Sequence, residues 1–204
     1  MKSHWNERFA REAYLYGKDP NQFIKEIEAI LLPKGRLLAI AEGEGRNAFY
    51  IAESAKNAGR DLTIDLWDYS DVALRKVNER KGNLAITTKE VDLTETMWEE
   101  SQYDAAFCVY GHFSKALQAH VFQGLRKTLK PGGWLFGEVY SDEQIPYGSG
   151  GPRNVDYLYC PAHFLEVFAG DFFKHFYVGE VMREEGDLHK GLCHVIQFAI
   201  QIRK

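Results

Sequence analysis

Apolar positions along the chain switch repeatedly between a helical and a strand period, and the switching predicts the elements. Phe23, Ile27, Ile30 and Leu31 share one helical face. Asp19-Pro20 before them reads as an N-cap followed by a proline at the first helical position, and Pro33-Lys34-Gly35 ends the segment. Arg36–Ala41 is a short apolar run that suits a buried strand. It leads through Glu42-Gly43-Glu44-Gly45 into a helix marked by Ala48, Ile51, Ala52 and Ala55. Leu62, Ile64 and Leu66 alternate as a strand ending at Asp68, and Ser70 can cap a helix carrying Val72, Ala73 and Val77. Leu84–Val91 predicts a third strand, Tyr103–Tyr110 a fourth and Trp134–Tyr140 a fifth. Between the last two, Ser114 opens a helix with Leu117, Val121, Leu125 and Leu129, stopped by Lys130-Pro131-Gly132-Gly133.

After a glycine- and proline-bearing loop, Ser141–Asn154, and a short helix over Pro161–Phe168, the pattern changes. Phe173–Met182 and Leu192–Ile202 are strand-like runs joined by polar Arg183–Gly191, which predicts a long antiparallel hairpin. Strands alternating with helices predict an α/β fold: a doubly wound, mostly parallel sheet with helices on both faces and an antiparallel strand at its end. There is no internal repeat. The 204 residues suit one domain, with 1–35 as an N-terminal lid and 36–204 as the core.

Composition narrows the function. Lysine and arginine number 25 against 29 acidic residues, a net charge of −4, and no dense basic block appears, so nucleic acid is not an expected partner. No apolar run reaches the length of a membrane span, and the polar N-terminus is not that of a signal peptide. Cys108, Cys160 and Cys193 are an odd set without a CxxC, which predicts no disulfide framework and a reducing, cytoplasmic setting. Cys160-Pro161-Ala162-His163 and Cys193-His194 fit no zinc spacing, so no metal is expected. Glu99-Glu100 and Glu184-Glu185 read as solvated charged faces.

Ligands of such sheets bind outside the carboxyl ends of the strands, where strand order reverses. The turn after the first strand is therefore the first candidate site. Gly43-x-Gly45-x-x-Ala48 fits a dinucleotide fingerprint, and Asp68 lies 20 residues after Ala48, where a carboxylate accepts ribose hydroxyls. An adenosine cofactor follows; these residues alone leave a nicotinamide dinucleotide open.

Beyond those residues the sequence resembles a family. Leu37-Leu38-Ala39-Ile40-Ala41-Glu42-Gly43-Glu44-Gly45-Arg46-Asn47-Ala48 is similar to the first motif of class I S-adenosylmethionine-dependent methyltransferases. Asp68-Tyr69-Ser70, Val91-Asp92-Leu93, Tyr103-Asp104 and Leu129-Lys130-Pro131-Gly132-Gly133 resemble their later motifs, in order. Trp5-x-x-Arg8-Phe9, Tyr16-Gly17 and Gly150-Gly151-Pro152-Arg153 resemble the small tellurite-resistance and thiopurine methyltransferase groups. The resemblance implies a seven-stranded Rossmann-like sheet, S-adenosylmethionine as cofactor and S-adenosylhomocysteine as product. It places Tyr16, Glu42, Gly43, Glu44, Gly45, Asn47, Asp68, Tyr69, Ser70, Asp92, Leu93 and Tyr110 at the cofactor. Two positions depart from the family: Ala39 replaces a frequent acid and Ala41 a frequent glycine, and Glu42 can take over contact with the cofactor ammonium. An oxidoreductase on a nicotinamide cofactor predicts neither Asp92 nor the Lys130–Gly133 turn. An idle cofactor-binding sensor is the other alternative.

The acceptor side falls on what remains. His112, in the turn after the fourth strand, is the candidate base or hydrogen-bonding group, since imidazole titrates near neutrality. Trp5, Tyr14, Tyr147 and Arg153 are candidate acceptor contacts, the last through a planar fork that suits anions. With only the N-terminal segment and the Ser141–Asn154 loop free for recognition, the expected acceptor is a small molecule.

Overall fold

The computed structural model describes residues 2–10, 13–186 and 189–203. A short helix α1 (Lys2–Phe9) and α2 (Gln22–Leu31) precede β1 (Gly35–Ile40). The chain then alternates through α3 (Arg46–Asn57), β2 (Leu62–Asp68), α4 (Asp71–Arg80), β3 (Ile86–Glu90), β4 (Tyr103–Val109), α5 (Lys115–Thr128) and β5 (Leu129–Tyr140). Two 3₁₀ turns, α6 (Pro161–Val167) and the hairpin β6 (Phe172–Glu185) and β7 (His189–Gln201) complete it. The seven strands lie in the order β3-β2-β1-β4-β5-β7-β6. All neighbours are parallel except β7, which runs antiparallel to both β5 and β6. This is the doubly wound, Rossmann-like sheet the alternation implies.

Both faces of the sheet are covered. Leu37 and Ala39 of β1 pack with Phe23, Ile27 and Ile51 from α2 and α3. Leu38 and Ile40, one residue out of phase, pack with Val121, Phe122 and Phe198 on the other side. Continuous apolar runs in β1 and β4 follow from this double burial. Among the described residues, no helix is long and apolar enough to cross a membrane.

Four expectations need correction. The fifth strand begins at Leu129, not Trp134, so Leu129 leaves the helix and residues 130–133 lie within the strand. Asn21, not Asp19, caps α2: its Oδ1 accepts the Ile24 N–H, and Pro20 stands outside the helix. The third strand begins at Ile86, two residues later than its apolar run. The hairpin arms also extend inward through Arg183, Glu184, Glu185 and His189, which the polar pattern assigns to a turn. The period of two still holds there: Arg183 and Glu185 are buried and Glu184 is exposed. Glu184-Glu185 is therefore not a uniformly solvated face.

Candidate active site

Strand order reverses at β1, whose neighbours are β2 on one side and β4 on the other. Four carboxyl-end segments converge there: Ala41–Gly45 after β1, Asp68–Ser70 after β2, Val91–Leu93 after β3 and Tyr110–Phe113 after β4. They enclose an inner cavity of about 180 Å³. From the sequence-predicted set, Tyr16, Glu42, Gly43, Asn47, Asp68, Tyr69, Asp92, Leu93, Tyr110, Trp5 and His112 line it. Phe9, from α1 like Trp5, lines it too.

The turn is held from below. Gly43, at φ 58°, donates its N–H to Asp68 Oδ2 at 2.7 Å, while Asp68 Oδ1 accepts the Ser70 N–H at 2.8 Å. Burial raises the Asp68 carboxyl above the usual range, partly offset by the Ser70, Gly43 and Tyr69 N–H groups. Each oxygen still has accepting capacity, so the carboxylate can take ribose hydroxyls as well. Asp92 is held by Thr94, whose Oγ1 and N–H donate at 2.6 and 2.9 Å. Those two bonds keep its carboxyl below the ordinary value, charged and able to accept an amino group.

Glu42 serves the chain first. Its Oε1 accepts the Asn47 and Ala48 N–H groups at 2.8 and 3.0 Å, and Oε2 accepts Asn47 Nδ2 at 3.1 Å. It therefore satisfies free donors at the α3 N-terminus, a position that glycine Gly45 cannot cap with a side chain. Burial pushes its carboxyl up to about 7 in spite of these bonds.

Several predicted residues stand elsewhere. Glu44 accepts the Leu15 N–H and pairs with Lys76, pinning the N-terminal segment. Gly45 opens α3 with φ 80°, and a Cβ there would meet Val77, Phe49 and Leu66 at 3.1–3.3 Å. Ser70 caps α4 and donates its hydroxyl to Asn6 of α1. None of the three lines the cavity. Tyr14 packs its ring against Lys18, Lys76 and Arg80 and does not line the cavity. Tyr147 donates its hydroxyl to Glu180 and does not line it either. Short range explains these placements: glycine turns and capping residues satisfy their own backbone before any ligand.

An outer cavity of about 870 Å³ adjoins the inner one. Arg153 lines it, and Trp5, Tyr16, His112 and His189 line both cavities, forming the neck between them. The sequence offered no signal for His189, because only the folding back of the hairpin brings it here. Its ring lies tilted against Tyr16, with centroids 4.8 Å apart, and meets Tyr110 edge-on at 4.7 Å. His112 lies 5.6 Å from the Trp5 ring. Burial, then Arg8, lowers His112 to about 4. Burial, then Arg46, His112 and Arg8, lowers His189 to about 3. Both imidazoles are thus neutral at pH 7, and His112 Nε2 and His189 Nδ1 have no hydrogen-bond partner.

Beneath the neck lies a charged network that the sequence also concealed. Glu138 of β5 accepts from the Arg183 guanidinium, the Tyr110 hydroxyl, Asn21 and Gln197. Arg46, at the start of α3 and lining the inner cavity, pairs with Glu185, which also accepts from Asn21. Burial opposes the Glu138 charge, but the Arg183 bonds and charge outweigh it and hold the carboxyl below its usual value.

The comparisons agree with this geometry. Residues 37–133 match a family model described as a methyltransferase domain. The protein described in the conversion of a disulfide bond into a thioacetal group during echinomycin biosynthesis superposes with a TM-score of 0.76 at 13% identity, covering 100% of this chain and 92% of that one. NodS, an N-methyltransferase from Bradyrhizobium japonicum solved with S-adenosylhomocysteine, gives 0.72 at 13%, covering 100% and 98%. TehB from Haemophilus influenzae gives 0.69 at 15%, covering 100% and 67%. No curated protein sequence matches the chain. Residues 37–133 match a methyltransferase domain, and the whole chain has the class I S-adenosylmethionine-dependent methyltransferase fold.

Proposed function

We propose that the inner cavity binds S-adenosylmethionine and that its methyl group passes, at the neck, to a small-molecule acceptor in the outer cavity. The observation that carries this is the convergence of Asp68 and Asp92 with an apolar lining from Val91, Leu93, Val109 and Phe113. That donor set suits an adenosine: Asp68 for the ribose hydroxyls, Asp92 for the adenine amino group and the apolar walls for the base. Glu42 and Arg46 would take the ammonium and carboxylate of the methionine end. When bound, the cofactor supplies a methyl carbon made electrophilic by its sulfonium, open to in-line displacement. The chain's part is positional. Trp5 and Phe9 exclude water, and the neck aligns the acceptor; such alignment can supply on the order of 7–11 kcal/mol. His112, neutral at pH 7, can hold or accept a proton at Nε2 when the nucleophile arrives protonated.

The outer cavity, at about 870 Å³, has the size of a small-molecule site, which supports a small acceptor. Three cysteines without a disulfide among them support a reducing, cytoplasmic setting. The test is a screen of thiols, thiopurines, metalloid oxyanions and small phenols with S-adenosylmethionine, read as S-adenosylhomocysteine formed. At least one class should give turnover that Trp5→Ala and Asp68→Asn reduce. Cofactor binding with no turnover on any class would favour a sensor instead.

A further inference from the structure

We propose that the methyl acceptor is an organic anion, its charged group held by Arg8 and Arg153 in the outer cavity and its nucleophile at the neck beside His112 and His189. The acceptor role rests on the reading above; the anion preference rests on the cavity itself. Although the whole chain carries −4, the described lining of the outer cavity includes Arg8, Arg153 and Lys190 and no aspartate or glutamate. Chance would place acids there as readily as bases, and fields of one sign focused in a cleft draw in the opposite charge.

Pairing sharpens the point. Arg46, Arg60, Arg126 and Arg183 are each matched to a carboxylate. Among the described residues, Arg8, Arg80, Arg153 and Arg203 make no ion pair, and of these only Arg8 and Arg153 line the outer cavity. Arg8 instead lies over the Trp5 ring, 5.2 Å from its centroid, which leaves the edge of the guanidinium for a planar anion. At the inner end of the same space, His112 Nε2 and His189 Nδ1 are buried polar atoms without partners. Unmatched polar atoms at that depth are costly, and a bound molecule would satisfy them. The outer cavity, at about 870 Å³, is large for an inorganic oxyanion and suited to an organic molecule that reaches from the arginines to the neck.

In the transfer, the acceptor's lone pair forms the new bond to the methyl carbon as the carbon–sulfur bond breaks, its electron pair staying on sulfur. Any proton on the nucleophile passes to His112 or water, and the anchored anionic group is unchanged.

The test titrates the full chain, loaded with S-adenosylhomocysteine, with three matched probes: 3-phenylpropionate, 3-phenylpropanamide and 3-phenylpropylamine. Binding is read by calorimetry and by Trp fluorescence. The carboxylate should bind about tenfold or more tighter than the amide, with the amine weakest, and added salt should erode the difference. Arg8→Gln and Arg153→Gln should each weaken the carboxylate by roughly fivefold and leave the amide unchanged. Equal affinities, a preference for the amine, or no carboxylate binding at millimolar concentration would overturn the proposal. Failure of the reading beneath it registers separately, as loss of S-adenosylhomocysteine binding in the loading step, and would remove the acceptor role with it.

Discussion

Ala41 and Tyr110 are non-glycine residues with φ near +50°, and both stand at the carboxyl ends of adjacent strands lining the inner cavity. An L-residue in that region costs about 1–2 kcal/mol, so the turn carries strain where the cavity needs its shape. Ala41 occupies the place where the methyltransferase resemblance leads one to expect glycine, and its conformation explains that preference. Ala41→Gly should therefore raise stability by about 0.5–1 kcal/mol in chemical denaturation, since relief of strain exceeds the added freedom of the unfolded chain. A loss of stability would show that the turn is not strained. Glu42 next to it sets a pH dependence. Its carboxyl is raised from 4.5 to about 7, so near pH 6 it is largely protonated and near pH 8 ionised. A bound ammonium favours the ionised form, so affinity for S-adenosylhomocysteine should rise between pH 6 and 8 and then level off. Glu42→Gln should flatten that rise. The same slope in wild type and variant, or affinity in Glu42→Ala within about twofold of wild type, would remove Glu42 from the cofactor.

At the scale of elements, the hairpin does more than close the sheet. Arg183 and Glu185 on β6 reach Glu138 on β5 and Arg46 on α3, so the inner arms of the hairpin brace the start of α3 beside the inner cavity. Arg183→Met leaves Glu138 buried without its main partner and should cost about 3–5 kcal/mol. Combining it with Glu138→Gln should recover part of that loss, because the uncompensated charge is gone. An additive double variant would mean that the two groups do not act as a pair. This brace is also where the sequence reading stopped. β1, α3, α4, β4 and α5 were legible because each buries an apolar stripe or run with the period of its own geometry. The inner arms were not, because Arg183, Glu185 and His189 are polar and their burial depends on partners more than 40 residues away, such as Glu138. Polarity alone cannot distinguish a solvated turn from a strand whose charges are paired inside.

For the whole molecule, the net charge of −4 gave no hint of the outer cavity, whose described lining carries Arg8, Arg153 and Lys190 and no acid. The local motifs located the floor of the inner cavity, from Gly43 to Asp68 and Asp92. The neck was hidden, since it joins α1, the turn after β4 and the start of β7, segments far apart in sequence. Two cavities meeting at Trp5, Tyr16, His112 and His189 are the arrangement that a two-substrate transfer needs, with one partner on each side. Everything then turns on what the inner cavity binds. Calorimetric titration of the full chain with S-adenosylhomocysteine and, separately, with NAD⁺ measures it directly. The structure predicts saturable one-to-one binding of S-adenosylhomocysteine, weakened about tenfold or more by Asp68→Asn, and no comparable heat with NAD⁺. Tight NAD⁺ binding with no response to S-adenosylhomocysteine would contradict the account.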